Sequence, residues 1–109
     1  MEKLIIQYNN ETIIIPYYNI MYLASDGRYT TIHAINKKYV VCRNIGLYCH
    51  DLPPALFARV HKQYIVNLQK IEKVSANIVT LTDQITLPIS RRRHSAIQEL
   101  INTLIKNNN

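Results

Sequence analysis

The stretch Ile20-Met21-Tyr22-Leu23-Ala24-Ser25-Asp26-Gly27-Arg28-Tyr29-Thr30-Thr31-Ile32-His33-Ala34-Ile35 decides the fold. Two runs rich in β-branched and aromatic residues flank Ser25-Asp26-Gly27, and Asp-Gly between such runs is the strongest hairpin signal in this chain. Upstream, residues 4–8 and 12–15 repeat the pattern around the polar pair Asn9-Asn10. Downstream, Asn36-Lys37-Lys38 turns the chain into Tyr39-Val40-Val41-Cys42-Arg43. The first half therefore reads as a meander of short antiparallel strands.

Asn44 is placed to cap a short helix whose apolar positions Ile45, Tyr48 and Leu52 follow the helical period until Pro53-Pro54 stops it. Leu56-Phe57 then leads into a strand signal at Arg59-Val60-His61, and further strand signals follow at residues 64–66, 71–75, 78–81 and 85–87, with turn chemistry at Ala76-Asn77 and Thr82-Asp83-Gln84. Strands recurring about every ten residues without regular helix alternation mean a mainly β fold. From Ser90 the period changes to that of a helix, with Ile97, Leu100, Ile101, Leu104 and Ile105 on one stripe. This C-terminal amphipathic helix is expected to dock on a sheet along that stripe. Residues 1–106 read as a single domain and 107–109 as a polar tail.

With 109 residues, 48% of them apolar and 18% charged, the chain suits one packed domain and neither a second domain nor a disordered segment. Its apolar runs fall far short of the roughly 18 residues that cross a bilayer, so no membrane partner is expected. The N-terminus has no apolar h-region, which points to a cytoplasmic protein with reduced cysteines. Cys42 and Cys49 read as half-buried structural thiols. Together with His33 and His50 they lack the paired spacing of compact zinc sites, so no metal is expected.

No His-Glu-x-x-His, Gly-x-Ser-x-Gly or paired-carboxylate pattern occurs, and the only glycines are Gly27 and Gly46. An enzyme, a phosphate-cradling loop and a cofactor are therefore all unexpected. His33, His50 and His94 read as solvated or core-satisfied imidazoles.

Charge points elsewhere. Thirteen Lys+Arg against seven Asp+Glu give a formal charge of +6. Between residues 59 and 93 the cations are Arg59, Lys62, Lys70, Lys73, Arg91, Arg92 and Arg93, opposed only by Glu72 and Asp83. That imbalance suits a polyanionic partner. Arg91, Arg92 and Arg93 open the last helix, where the macrodipole favours anions, so their placement costs stability unless a phosphate uses them. The bland reading is a solvated basic turn.

A second cluster is Arg59-Val60-His61-Lys62-Gln63-Tyr64. Alternation would set Arg59, His61 and Gln63 on one face, while Lys62 falls in a loop between two strand signals. Alternatively, Arg59 and His61 tie the sheet edge to a neighbouring carbonyl or carboxylate.

These residues resemble the LytTR DNA-binding domain of bacterial response regulators. The resemblance runs over residues 11–93. Its most specific parts are Arg59-Val60-His61 with Ile65-Val66-Asn67, followed by Leu87-Pro88-Ile89-Ser90-Arg91-Arg92. It implies stacked short antiparallel sheets with a short middle helix and a C-terminal helix, and loops entering successive major grooves of double-stranded DNA. It also implies that the loop of Arg28 and Tyr29 contacts bases, that Lys62 contacts backbone or groove, and that Arg92 reads a second major groove. Direct-repeat sites bound by a second protomer, and an N-terminal receiver domain outside this chain, are further implications. The chain departs from the family's frequent pattern at Lys62-Gln63 and by lacking a Gly near Gln84. From the residues alone, two other readings stay open: an RNA-binding β-domain that stacks bases on some of the eight tyrosines, and a basic protein-interaction module.

Overall fold

The computed structural model describes the main chain of residues 2–108 and the side chains of residues 2–106. The polar tail read at 107–109 thus lies outside the described side chains, and Asn109 outside the described main chain. Strands β1 (Lys3–Tyr8) and β2 (Glu11–Pro16) form a hairpin that pairs Leu4 with Ile15 and Ile6 with Ile13. Asn9 and Asn10 both take positive φ, 50° and 63°, as a type I′ turn requires. Asn is among the few side chains that visit this region readily.

Five strands make the central antiparallel sheet: β3 (Ile20–Asp26), β4 (Tyr29–Ala34), β5 (Lys38–Val41), β6 (Phe57–His61) and β7 (Tyr64–Asn67), in the order β5-β4-β3-β7-β6. A third sheet, ordered β10-β9-β8, is built from β8 (Ile71–Val74), β9 (Ile78–Leu81) and β10 (Thr86–Pro88). The short helix α1 (Ile45–Asp51) starts at Asn44, whose Oδ1 accepts the Gly46 amide at 2.7 Å. The hairpin between β3 and β4 turns at Gly27-Arg28, one residue later than the Asp-Gly signal suggests. Asp26 pairs with Tyr29, and Gly27, at φ 61°, occupies the first turn position, where a primed turn favours glycine.

The central sheet is buried on both faces. One face carries Leu23, Ile32, Phe57 and Ile65 against the β1–β2 hairpin and α1, and the other carries Met21, Val60 and Val66 against the third sheet and Ile97. Fully burying each such aliphatic side chain contributes about 1.5–3 kcal/mol. Asn67, 1% exposed, is satisfied at both ends of its amide. Its Nδ2 donates to the carbonyls of Tyr17 (3.0 Å) and Ile20 (2.9 Å), and its Oδ1 accepts the Gln69 amide (2.9 Å). One side chain thereby joins the chain entering β3 to the chain leaving β7.

The helix α2 (Arg91–Asn108) corrects the docking expectation. Ile97 is buried and Ile101 packs at the core margin, whereas Leu100 and Leu104 are only partly covered and Ile105 is 51% exposed. The third sheet has strands of only three or four residues, about 10–13 Å, while an 18-residue helix is about 27 Å long. The helix outruns the surface beneath it.

Candidate nucleic-acid interface

Because β3 and β7 are antiparallel neighbours, the β3–β4 turn Gly27-Arg28 and the β6–β7 turn Lys62-Gln63 emerge at the same end of the central sheet. The Ser25 amide donates to the Gln63 carbonyl at 2.8 Å and locks the two turns together. The start of α2 arrives at the same end, since the Ser90 amide donates to the Val60 carbonyl at 2.8 Å.

The Lys62-Gln63 turn is held from several sides. The Gln63 amide donates to Nδ1 of His61 at 3.1 Å, and the Arg59 guanidinium donates to the Lys62 carbonyl. A cleft of about 490 Å³ separates the two turns, lined by Ser25, Gly27, Asn44, Arg59, His61 and Gln63, among others. The expected alternation of Arg59, His61 and Gln63 along one strand face is not what forms. The β6–β7 register shifts between Arg59 and His61, and Gln63 lies in the turn. A bulge of this kind lets Val60 stay fully buried while the residues around it are re-aimed.

Arg28, Lys62, Gln63, Arg91 and Arg92 are exposed, Tyr29 is 47% exposed, and Arg59, His61 and Arg93 are half-buried. Among the described residues the one ion pair is Arg43 with Asp51, and α2 has no acidic residue in its first turn. Partial burial, followed by the nearby guanidiniums of Arg59 and Arg92, pushes the Arg93 pKa down. An arginine stays charged regardless, so the edge holds crowded cations that form no ion pair among the described residues, with exposed Asp26 at the end of β3 the nearby carboxylate. Arg91 diverges from this group. It lines a shallow cleft with Ala76, Asn77 and His94 at the β8–β9 turn, as expected for a residue about 200° around the helix from Arg93.

Other sequence expectations fare differently. Cys42 and Cys49 are both exposed, which corrects the half-buried reading. Cys49 lies off the Ile45, Tyr48 and Leu52 face that α1 buries, and Cys42 follows the last residue of an edge strand. His33 stacks on Tyr22 with ring centroids 4.1 Å apart, and burial, then Lys38, pushes its pKa down. Of the eight tyrosines, Tyr18 and Tyr29 are the exposed ones. Among the described residues no three His, Cys, Asp or Glu cluster as metal ligands would, and no helix is long and apolar enough to cross a membrane. Ser25 is read from the sequence as part of the hairpin turn and not as part of the site, because there it contributes a main-chain amide that any residue would supply.

Short stacked sheets converge two turns and a helix start on one cationic edge, an arrangement suited to a polyanion. The chain belongs to the LytTR DNA-binding domain family, whose model matches residues 10–102. It is 30% identical over 95 residues to the transcriptional regulatory protein YpdB of Escherichia coli K12, covering 82% of this chain and 39% of that protein. It is 27% identical over 95 residues to the transcriptional regulatory protein LytR of Staphylococcus aureus MW2, covering 83% and 39%. The chain thus spans about two fifths of the length of these relatives. A LytTR DNA-binding domain from Bacillus cereus superposes with a TM-score of 0.80 at 19% identity, covering 93% of this chain and 97% of that one, and so shares the fold. DNA is the partner that the family implies, and the family is one of DNA-binding regulators rather than enzymes.

Proposed function

We propose that this domain binds duplex DNA sequence-specifically, as the DNA-reading part of a transcriptional regulator. Turns Gly27-Arg28 and Lys62-Gln63 and the first turn of α2 enter successive grooves. Arg28, Tyr29, His61, Gln63 and Arg92 face bases. Lys62, Arg91 and Arg93 engage phosphates, and Arg59 works from behind by holding the Lys62 carbonyl. Two protomers occupy direct repeats, and a receiver domain in the full regulator supplies the signal. The observation that supports this best is the convergence of both turns and the helix start, with their cations in no ion pair among the described residues, on one end of the sheet.

The test is a set of salt titrations on a footprinted site and a scrambled duplex. Affinity for both should fall by about 0.9 log units per log unit of salt for each phosphate engaged. Arg92→Ala should cost about 1–3 kcal/mol on the specific site and relax preference there. Lys62→Ala should weaken both duplexes equally and remove roughly one phosphate contact from the slope. Single-stranded RNA bound more tightly than any duplex would defeat the DNA reading. Tight, salt-sensitive binding of an acidic protein with no duplex affinity would favour the protein-interaction reading.

A further inference from the structure

Resting on that DNA reading, we infer that His61 is a specificity-determining residue whose ring is held as a one-way hydrogen-bond donor, so that it selects an acceptor edge of a base, foremost guanine N7 and O6. The ring's Nδ1 accepts the Gln63 amide at 3.1 Å. A neutral imidazole that accepts at Nδ1 carries its proton on Nε2, and an Nε2–H can donate but not accept. That amide has no freedom to turn away, because the same residue's carbonyl accepts the Ser25 amide and the preceding carbonyl is held by Arg59. The main chain of the turn therefore sets the tautomer, and the tautomer sets what the ring can read.

His61 lines the cleft between the two turns, half-buried and beside exposed Lys62 and Gln63. In the major groove, guanine offers two adjacent acceptors, whereas the amino groups of adenine and cytosine offer donors that an Nε2–H meets as a clash of like dipoles. A base pair that turns a donor toward His61 is refused, which is discrimination by mismatch as much as by attraction.

The experiment uses the footprinted site with single 7-deazaguanine substitutions, each removing one N7 acceptor, and compares the wild-type domain with His61→Asn. Asparagine keeps an oxygen able to accept the amide two residues on, as in an Asx turn, so the Lys62-Gln63 turn survives, while its remaining donor, Nδ2, stops short of the position that the ring's Nε2–H reaches. The expected result is one guanine position where 7-deaza substitution weakens the wild type about tenfold and His61→Asn less than twofold. A long-range 1H–15N spectrum should also show His61 as the Nε2–H tautomer. A thermal melt checks that the variant is folded. Equal weakening of specific and scrambled duplexes by His61→Asn would assign the ring to a phosphate and overturn the inference, as would an Nδ1–H tautomer. A wild-type domain with no preference between site and scrambled duplex would instead overturn the DNA reading beneath it.

Discussion

Gln84→Gly should stabilise the domain without touching DNA binding. Gln84 sits at φ 61°, directly after Asp83 at φ 64°, in the connection between β9 and β10. A non-glycine residue in the left-handed region costs roughly 1–2 kcal/mol, and Asp relieves part of that with its short polar side chain where Gln cannot. Glycine removes the steric term but adds about 0.5–1 kcal/mol of backbone entropy to be lost on folding. The difference leaves about 0.5–1 kcal/mol in favour of glycine. For a domain of this size that raises Tm by roughly 2–8 °C. The site is untouched because Thr82 places this connection beside Met21 at the start of β3, at the opposite end of that strand from Gly27-Arg28. The assay is a thermal melt with a urea titration, and a DNA titration as control. An unchanged or lowered Tm for Gln84→Gly, with the fold intact, would refute the claim that backbone strain is stored here.

Asn67→Leu should cost about 2 kcal/mol or more in urea unfolding, because the buried Ile20 carbonyl and the Gln69 amide lose this partner while the part-buried Tyr17 carbonyl keeps only the Ile20 amide. His33 has a folded-state pKa below its ordinary 6.5, so the native state resists protonation. Its contribution is complete above about pH 6.5 and is lost as pH falls toward the folded pKa; His33→Phe should therefore flatten the pH dependence of the urea midpoint below about pH 6.5 relative to wild type. Replacing the exposed Cys42 and Cys49 by Ser together should change stability by no more than about 0.5 kcal/mol and leave DNA affinity as it was, and a larger loss in the melt would mean that a thiol is packed.

The strands and turns were legible because their signals are local. Asn9-Asn10, the segment around Gly27, and the Asn44 cap each act within a few residues, and each forms at the place its chemistry points to or one residue from it. The distal half of α2 was misread for a physical reason. A period of 3.6 reports that a helix has an apolar face, but not how far the surface under it extends, and here the surface ends near Ile101. The Arg59-His61-Gln63 row failed similarly, since strict alternation assumes an unbroken register and the β6–β7 pairing shifts between Arg59 and His61. The lack of a glycine near Gln84 was visible in the sequence, but only the backbone angles turn that departure into a stability argument.

The site's basic residues were legible one by one, and their meeting was not. Arg28 and Lys62 converge only because β3 pairs with β7, a contact between segments some 40 residues apart that no local pattern specifies. Once that pairing exists, the main chain of the turn is held apart from its own side chains, and His61 alone serves both as frame and, on the inference above, as reader. The amide and carbonyl of Gln63 and the carbonyl of Lys62 are all engaged, by His61, Ser25 and Arg59. The side chains of Lys62 and Gln63 remain exposed and outside that frame. A turn held by its main chain tolerates exchange of its side chains, and this is why Lys-Gln can stand where the family often has other pairs without disturbing the fold. On the proposed reading, operator preference can then diverge at Gln63 while the hold of Arg59, His61 and Ser25 on the turn is kept.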